Sequence, residues 1–266
     1  MQVDKVVYWI VTREKMRLRK ESGQPYPYSP DNVMAHTRFT NVRREHDKVT
    51  KYLSSTSWRK EWSDDIVPKM VVARFVNYIP TLEETLAAGG WQHTEEVLCE
   101  RADRGEKVWG SAYTITTCGR LMDKITYVCT HVLPQVVALG PLPCSVQTLS
   151  DCHMWLTQVD GLGSFLAAQV VADLKNIWDG PLRDAPDWYS WSAPGPGSLK
   201  GLSWFYDRKV TPASYQEDIQ KAWACIWPRL PVELQNLHMQ DVQNVFCEVS
   251  KYARITEGRG HARNKY

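Results

Sequence analysis

Apolar residues recur every three or four positions along most of the chain, which predicts a mainly helical protein. Residues 4–20 mix apolar and basic positions at this spacing and predict a first helix, which the glycine and prolines of SGQPYPYSPDN end. From Asp31 onward, Val42, Val49 and Leu53 recur at helical spacing within RFTNVRREHDKVTKYLSSTSW. We therefore expect a second helix there, with one polar face.

The middle of the chain continues this pattern. Residues 64–88 predict a helix, a proline break and the start of another helix, which Gly89 and Gly90 end. EKVWGSAYTITT alternates like a strand, and we interpret it as a hairpin or an extended loop. KITYVCTHVLPQVVALGPLP returns to helical spacing and stops at Gly140. These elements place the chain in the all-α class.

Residues 145–178 predict two helices joined by the tight turn DGLG, with Ser164 as the N-cap of the second helix. Gly161 and Gly163 flank Leu162, a pattern typical of a helix-hairpin-helix element. Glycines let such a turn approach a phosphate, and the free amides of the second helix bind the anion. We expect Gly161, Leu162, Gly163 and Ser164 to contact DNA. The alternative is an ordinary αα-hairpin with a glycine turn.

The segment after the hairpin, DGPLRDAPDWYSWSAPGPGSLKGL, is rich in proline and glycine and predicts a long, functional loop. Within it, Gly197, Ser198 and Lys200 are candidates for a phosphate contact, with an unliganded proline-glycine turn as the alternative. Residues 214–227 and 238–254 predict the last two helices. We expect one domain over residues 1–254 and a basic tail over residues 255–266.

Composition narrows the function classes. The net charge is only +2, so any DNA contact must come from a local patch. The seven cysteines are scattered without a Cys-x-x-Cys pair, which argues against disulfides and a structural zinc site. No apolar run approaches the roughly 20 residues of a membrane helix, and no secretory signal is evident, so we expect a cytoplasmic protein that contacts no membrane. Twelve tryptophans and twelve tyrosines can stack on bases or fill the core.

Many proteins with such a hairpin resemble base-excision glycosylases, in which a carboxylate downstream faces the extruded base. Asp179, Asp184 and Asp187 are the candidates here, and Asp187 matches the loop carboxylate in position only. Glycosylases that also cleave the strand carry a lysine where this chain has Phe165, so a Schiff-base lyase is not expected. Asp173 lies inside the hairpin helix, where it is expected to anchor the helix.

Three further segments, RFTNVRREHDKVTKYL, WSAPGPGSLKGL and MQDVQNVFCEVSKYAR, carry a more specific resemblance. In this order they resemble the phage α-glutamyl/putrescinyl thymine pyrophosphorylases, also described as amino acid:DNA transferases. The same helical fold occurs as the helical domain of 5-hydroxymethyluracil DNA kinases. The resemblance covers roughly residues 30–254 and implies a glycosylase-like helical fold that extrudes a base from DNA.

The resemblance implies a step in thymine hypermodification, in which an amino acid displaces phosphate from 5-phosphomethyluracil in phage DNA. The chain has no Gly-x-x-x-x-Gly-Lys-Ser/Thr loop, so it would act after a kinase, which is a candidate partner. A free amino acid, with glycine as one candidate, would be the second substrate. No metal or organic cofactor is implied.

The motifs offer groups for this reaction. Lys251 could neutralise the departing phosphate, Glu248 could accept a proton from the amine, and the Cys247 thiolate could add to C6 of the ring. The side chains expected to bind the substrate are Arg38, Asn41, Arg43, Arg44, Glu45, Asp47 and Asn244. For the residues of the early segment, a solvated face with internal ion pairs is the alternative. Two other functions stay open: a monofunctional DNA glycosylase using Asp187 or a neighbouring carboxylate, and a non-catalytic DNA-binding subunit.

Overall fold

The computed structural model describes residues 1–113 and 115–260, and over these ranges its regular elements are helical, without a β-strand. This confirms the all-α class, while the more specific glycosylase-like fold stays a prediction. The α-helices in chain order are α1 Val3–Glu21, α2 Asn32–His36, α3 Lys48–Ser55, α4 Ile66–Val76, α5 Ile79–Ala87, α6 Thr94–Asp103, α7 Lys124–Thr126, α8 Leu133–Leu139, α9 Leu149–Leu156, α10 Ser164–Leu174, α11 Pro196–Tyr206, α12 Tyr215–Ile226 and α13 Met239–Thr256.

The chain forms two compact units. The first unit combines Met1–Asp47 with the chain from Trp188 onward, and the second unit is Lys48–Asp187. The single domain expected over residues 1–254 stays a prediction. Helix α13 takes in the first two residues of the expected basic tail, and residues 261–266 of that tail lie outside the described residues. Over the described ranges, every helix falls short of a bilayer crossing in its length or its apolar character.

The first unit has a core built from α1, α11, α12 and α13. Trp9, Phe205 and Phe246 are among its fully buried side chains. Helices α11 and α13 touch at their backbones, because a Cβ atom on Gly201 would lie 2.0 Å from the carbonyl oxygen of Phe246. A glycine at this position is therefore what lets the two helices pack so closely.

The second unit has a core around α4, whose residues are nearly all buried. The core includes a charged group, because Asp173 in α10 is 0% exposed and pairs with Arg74 of α4 and with Arg59. A buried carboxylate needs partners of this kind, since an unpaired charge in the interior is very costly. Asp173 thus anchors α10 to α4, the role expected from its position inside the hairpin helix.

Most helices lie where the periodicity predicts them. The proline break between α4 and α5, the stop at Gly140 and the turn between α9 and α10 are confirmed. Between α7 and α8 the helix widens into a π turn over Tyr127–Val132, which ends two residues before Pro134. Proline has no amide hydrogen for the regular helical bond, which accounts for a change of winding at this point.

The helix predicted through residues 38–47 is wrong. The chain there is extended after α2 and forms only a short 3₁₀ turn at Arg44–His46 before α3 begins. Phe39 and Val42 are still buried, as their spacing suggested. Side chains from distant helices bond the backbone of this segment, so its polar groups do not need the hydrogen bonds of a helix.

Three smaller predictions are corrected. PGPGSLKG is not a loop, because α11 begins at Pro196, a position suited to proline at the start of a helix. Gly163 is the N-cap of α10, and Ser164 is its first residue. EKVWGSAYTITT forms no strand or hairpin in its described residues and is irregular, in agreement with the loop alternative.

Candidate functional site

One face of α13 carries four polar side chains, Asp241, Asn244, Glu248 and Lys251. Residues three and four apart are neighbours on a helix, so these side chains form a row. Each of them bonds the chain between Arg38 and Arg44. This row, named here the α13 clamp, holds the segment that the sequence predicted to be helical.

Lys251 and Glu248 form the end of the clamp near Arg38. The Lys251 ammonium donates to the carbonyl of Arg38 and lies 4.7 Å from the ring centre of Phe39. It is also 3.6 Å from Oε2 of Glu248, which accepts a 3.3 Å hydrogen bond from the amide of Thr40. These two of the predicted catalytic side chains therefore also hold the backbone between Arg38 and Thr40.

Asn244 and Asn41 occupy the middle of the clamp. The Asn244 amide group donates to Oγ1 of Thr40 at 2.9 Å and to the carbonyl of Asn41 at 3.0 Å. The Asn41 side chain accepts from Arg13 at 2.6 Å and donates to the carbonyl of His46 at 2.7 Å. These bonds occupy groups that were expected to read a pyrimidine edge.

Arg43 and Arg44 are held at the other end of the clamp. The Arg43 guanidinium donates to the Glu233 carbonyl and to Oδ1 of Asn236, both at 2.6 Å. The amide of Arg44 donates to Oδ1 of Asp241 at 3.0 Å. These contacts hold the side chain of Arg43 and the backbone of Arg44 against other parts of the first unit.

The other predicted substrate contacts in this segment are spread over its two ends. The side chain of Arg38 is exposed, whereas Glu45 and Asp47 are half-buried beside the short 3₁₀ turn. The amide of Asp47 bonds back to the carbonyl of Arg44 at 3.0 Å. A substrate contact by these three residues stays a prediction.

Burial changes the acid–base chemistry of Glu248 and Cys247. It raises the pKa of the Glu248 carboxyl, while Lys251 acts in the opposite direction. Burial also raises the pKa of the Cys247 thiol to about 11, and Glu248 adds to this effect. The thiol is therefore protonated near neutral pH, which weakens the case for addition of a thiolate to a pyrimidine ring.

A cleft of about 720 Å³ opens between α11 and α13 in the first unit. Cys247 and Lys251 line it from α13, and Gly197 and Lys200 line it from α11. The predicted phosphate-binding motif of α11 and the predicted catalytic motif of α13 thus share one cleft. We name it the cationic cleft, because its charged lining residues are Lys200, Lys251, Arg254 and Arg259 against Asp207 and Glu257.

Two cations of this cleft stand without an acidic partner. The side chains of Lys200 and Arg254 are exposed, and no carboxylate in the described part of the chain lies within 4.0 Å of their charged nitrogens. Arg259, in contrast, pairs with Glu257 and is the main reason why the pKa of that carboxyl is lowered. Lys200 and Arg254 can therefore bind an external anion without first breaking an ion pair.

Gly197 and Ser198 have structural contacts of their own in α11, and a phosphate contact by either residue stays a prediction. A Cβ atom on Gly197 would lie 2.2 Å from Sγ of Cys247, so the glycine allows α11 to approach α13. Ser198 is fully buried, and its hydroxyl exchanges 3.1 Å hydrogen bonds with the amide and carbonyl of Gly195. Ser198 thus stabilises the start of α11, and among the three motif residues Lys200 offers its charge to the cleft.

The turn between α9 and α10 belongs to the second unit. Gly161 has φ +99°, and a Cβ atom there would lie 2.4 Å from the hydroxyl of Tyr127, so this position requires glycine. Leu162 is buried, whereas Gly163 faces open space. Ser164 places its hydroxyl 3.2 Å from Nε2 of His153. The turn is thus packed on one side and accessible on the other.

A second cleft, of about 740 Å³, lies beside this turn and is lined by residues 157 and 159–166 with neighbouring side chains. The first backbone bond at the start of α10 is donated by Ala167, so the amides of the preceding residues are not used by the helix. Among the described lining residues, Asp160 is the charged one, and it pairs with Arg120. Any anion here would depend on amides rather than on cations.

The loop carboxylates bind backbone amides in the second unit. Asp187 accepts from the amides of Leu149 at 2.8 Å and Ser150 at 3.0 Å, the first residues of α9. Asp179 accepts from the amide of Trp62 at 2.9 Å, and Asp184 is exposed. Asp187 therefore serves as a helix-capping carboxylate, which reduces the support for a glycosylase mechanism based on it.

Arg254 and Trp204 are among the lining residues of the cationic cleft that were not predicted. Arg254 lies three residues after Lys251, so the same helical spacing that grouped Glu248 with Lys251 could have identified it. Trp204 lies four residues after Lys200 on α11. It was missed because the predicted loop ran through Leu202, so the helix that places Trp204 one turn after Lys200 was not expected.

The chain is similar in sequence to known proteins of one family. The family model described as "5-hmdU DNA kinase, helical domain" matches residues 1–261. The 5-hmdU DNA kinase of Bacillus phage SP10 is 22% identical over 223 residues, which cover 74% of this chain and 35% of that protein. The chain thus spans about a third of the length of this relative. No solved structure matches the chain significantly. The predicted relation to the helical domain of such kinases is confirmed.

Proposed function

The chain belongs to the family of the 5-hmdU DNA kinase helical domain, and on this premise we propose that it is a transferase in the hypermodification of thymine in phage DNA. Its substrates would be 5-phosphomethyluracil in DNA and a free amino acid, glycine being one candidate. The 5-hydroxymethyluracil DNA kinase would supply the phosphorylated base and is a candidate partner. Because the sequence lacks a Gly-x-x-x-x-Gly-Lys-Ser/Thr loop, we assign the phosphorylation itself to another chain or domain.

The proposed reaction is a substitution at the 5-methylene carbon of the base. The amine nitrogen forms a bond to this carbon while the carbon–oxygen bond to phosphate breaks. The phosphate leaves with the electron pair of the broken bond, and the amine loses a proton to solvent or to a nearby carboxylate. Such a reaction is accelerated by cations placed where negative charge develops on the leaving group.

The cationic cleft is the observation that carries this proposal. Lys200, Lys251 and Arg254 line it together, and two of these three cations have no acidic partner among the described residues. A phosphate monoester carries close to two negative charges at neutral pH. The cleft therefore has the charge to hold the phosphate before and after the displacement.

Glu248 fits the proposal best as a positioning residue. The residue is 9% exposed, and its carboxylate accepts a hydrogen bond from the amide of Thr40 and lies 3.6 Å from the Lys251 ammonium. These contacts restrict where the Lys251 side chain can go. A direct role as proton acceptor remains the alternative, since a raised pKa improves a carboxylate as a base near neutral pH.

The test is to incubate the protein with DNA containing 5-phosphomethyluracil and a mixture of amino acids. The DNA is then digested, and the nucleosides are analysed by mass spectrometry. An amino-acyl thymidine with an equal amount of released phosphate supports the transferase. Free base with abasic sites would instead indicate a glycosylase, and unchanged nucleosides would overturn the proposed activity.

Charge removal in the cleft provides the matched variants. We expect Lys251→Met and Arg254→Met each to lower turnover by about a hundredfold, since a cation at a developing charge typically contributes this much. Lys221→Met is the control, because this exposed lysine pairs with Glu217 and lies outside the cleft. Equal rates in all three variants would remove the cationic cleft from the mechanism.

A non-catalytic DNA-binding subunit is the second candidate function. The accessible side of the α9–α10 turn favours it, because amides at the start of α10 are available to a phosphate. In that case the protein would bind DNA in the same experiment without altering any nucleoside.

A further inference from the structure

A smaller pocket adjoins the cationic cleft in the first unit. It has a volume of about 280 Å³, and the rings of Tyr8, Trp204 and Tyr252 form its walls. Trp204 and Glu257 line both this pocket and the cationic cleft. We name it the aromatic pocket. Its position means that one flat, apolar group and one anionic group could bind side by side, with Trp204 between them.

Hydrogen bonds fix all three rings of the aromatic pocket. Asp31 accepts from the hydroxyl of Tyr8 at 3.1 Å and from that of Tyr252 at 2.7 Å, and its other oxygen accepts from the amide of Met34. The Trp204 indole nitrogen donates to Glu257 at 3.0 Å. Rings that are already held in place lose little conformational freedom when a ligand binds, which favours stacking.

The rim of the aromatic pocket adds polar groups to these walls. The Lys5 ammonium lies 5.7 Å from the ring centre of Trp204, and the side chain of Lys5 is exposed. Asp4 is engaged by Arg229 at 2.8 Å. Lys5 is thus the rim cation that can donate to a carbonyl oxygen at the edge of a bound ring.

From these contacts we infer that the aromatic pocket binds the pyrimidine ring of the extruded nucleotide. The cationic cleft then holds the phosphates attached to that nucleotide, namely its backbone phosphate and, in the substrate, the phosphate on the 5-methylene group. The inference rests on the proposed function and deepens it by naming where the extruded base goes. A pyrimidine has two faces for stacking and carbonyl oxygens at its edge, which match the aromatic walls and Lys5. A pocket of this volume accepts a single small ring and excludes a stacked duplex.

Binding without turnover tests this inference. The probes are single-stranded pentathymidylate and a matched oligonucleotide whose central nucleotide lacks its base, so both carry the same phosphates. Dissociation constants are measured by calorimetry in the absence of amino acids. We expect the wild-type protein to bind the complete strand at least about fivefold more tightly, the lower limit for stacking of one base.

Trp204→Ala should reduce this preference to less than about twofold, and Trp204→Phe should retain most of it, because phenylalanine still offers a ring. Trp227→Ala is the matched control: Trp227 is also in the first unit and donates one indole hydrogen bond, to the carbonyl of Gln235. Lys200→Ala should weaken both probes equally. Thermal melting of each variant establishes that it is folded.

Three outcomes would overturn the inference. The wild-type protein could bind both probes equally, or folded Trp204→Ala could keep the full preference for the complete strand. In the third outcome, free phenylalanine raises the melting temperature of the wild type but not of Trp204→Ala, while Trp204→Ala prefers the complete strand as strongly as the wild type does. This result would assign the pocket to an amino-acid side chain. Failure of the transferase reaction is a separate result, because these binding measurements involve no turnover.

Discussion

Two buried carboxylates, Asp173 and Glu248, differ in how well their surroundings stabilise the negative charge. Asp173 is enclosed by the guanidinium groups of Arg59 and Arg74. Glu248 has one ammonium at 3.6 Å and one backbone amide, and burial raises its pKa. In the first arrangement the two guanidinium groups stabilise the negative charge of Asp173, whereas in the second the partners of Glu248 offset only part of the desolvation that burial imposes on its charge.

Replacement of Asp173 tests the first arrangement. Asp173→Asn leaves two buried arginines without their counter-charge and is expected to lower the free energy of unfolding by about 3–5 kcal/mol. Urea denaturation measures this change. The control is Glu217→Gln, whose exposed pair with Lys221 should contribute less than about 1 kcal/mol. Similar losses in the two variants would contradict the importance of the buried pair.

Replacement of Glu248 tests the second arrangement through pH. Because the folded protein binds the Glu248 proton more tightly than the unfolded chain, this group destabilises the fold as pH rises from the ordinary carboxyl range through its raised pKa. Glu248→Gln keeps an acceptor for the Thr40 amide and removes the titration. We expect unfolding free energies from urea curves to decline less with rising pH in this variant than in the wild type.

Glu257 provides the opposite sign in the same measurement. The pKa of its carboxyl is lowered, first by Arg259 and then by Trp204, so its contribution to stability is lost as pH falls. Glu257→Gln should therefore cost more stability at neutral pH than in acid. Identical pH slopes for the wild type and both variants would contradict the assigned directions.

At the scale of elements, the α13 clamp shows one helix determining the conformation of a distant segment. Its four side chains, together with Arg13 of α1, bond the backbone of residues 38–44. Those residues are therefore held extended, and their apolar members still reach the core. Helix α13 thus has both a structural face and, at Lys251 and Arg254, a face towards the cationic cleft.

The α9–α10 turn offers a test with two neighbouring glycines. Gly161→Ala introduces a side chain at positive φ and against the Tyr127 hydroxyl, so we expect a loss of about 1–3 kcal/mol in unfolding free energy. Gly163→Ala is the control, since its backbone is ordinary and its surroundings are open. Thermal or urea denaturation of both variants gives the comparison. A larger effect at Gly163 would mean that the turn is packed differently.

At the scale of the whole molecule, the net charge is small and positive side chains are concentrated in one cleft. The net charge is only +2, yet the cationic cleft has four cations against two carboxylates in its lining. Attraction of DNA by this protein would therefore be a local effect. It would depend on a few side chains of the cleft rather than on the net charge of the chain.

The salt dependence of DNA binding measures this local effect. The double variant Lys200→Ala, Arg254→Ala should reduce the slope of log affinity against log salt by about 1.4 for a single strand, because each lost phosphate contact contributes about 0.7. The control is Lys15→Ala, Lys221→Ala, which removes two exposed lysines outside the cleft. Equal slopes in the two double variants would show that DNA does not contact the cationic cleft.

Local patterns in the sequence were sufficient to predict many of the helices of this protein and its family. Apolar spacing predicted α1, α4, α10, α12 and α13, because helical periodicity depends on residues within a few turns of one another. Glycine and proline marked the break between α4 and α5 and the α9–α10 turn. Three ordered motifs indicated the family. The grouping of Glu248 with Lys251 also followed from spacing alone, although not the contacts that these side chains make.

Tertiary structure decided the rest, since the deciding partners are distant in the chain. Thr40 bonds Glu248 from 208 positions away, and this kind of contact keeps residues 38–44 extended where periodicity predicted a helix. The aromatic pocket likewise needs Tyr8 of α1 beside Trp204 of α11 and Tyr252 of α13. A side chain's neighbours on its own helix can be read from its sequence position, but partners on other helices exist only once those helices have packed.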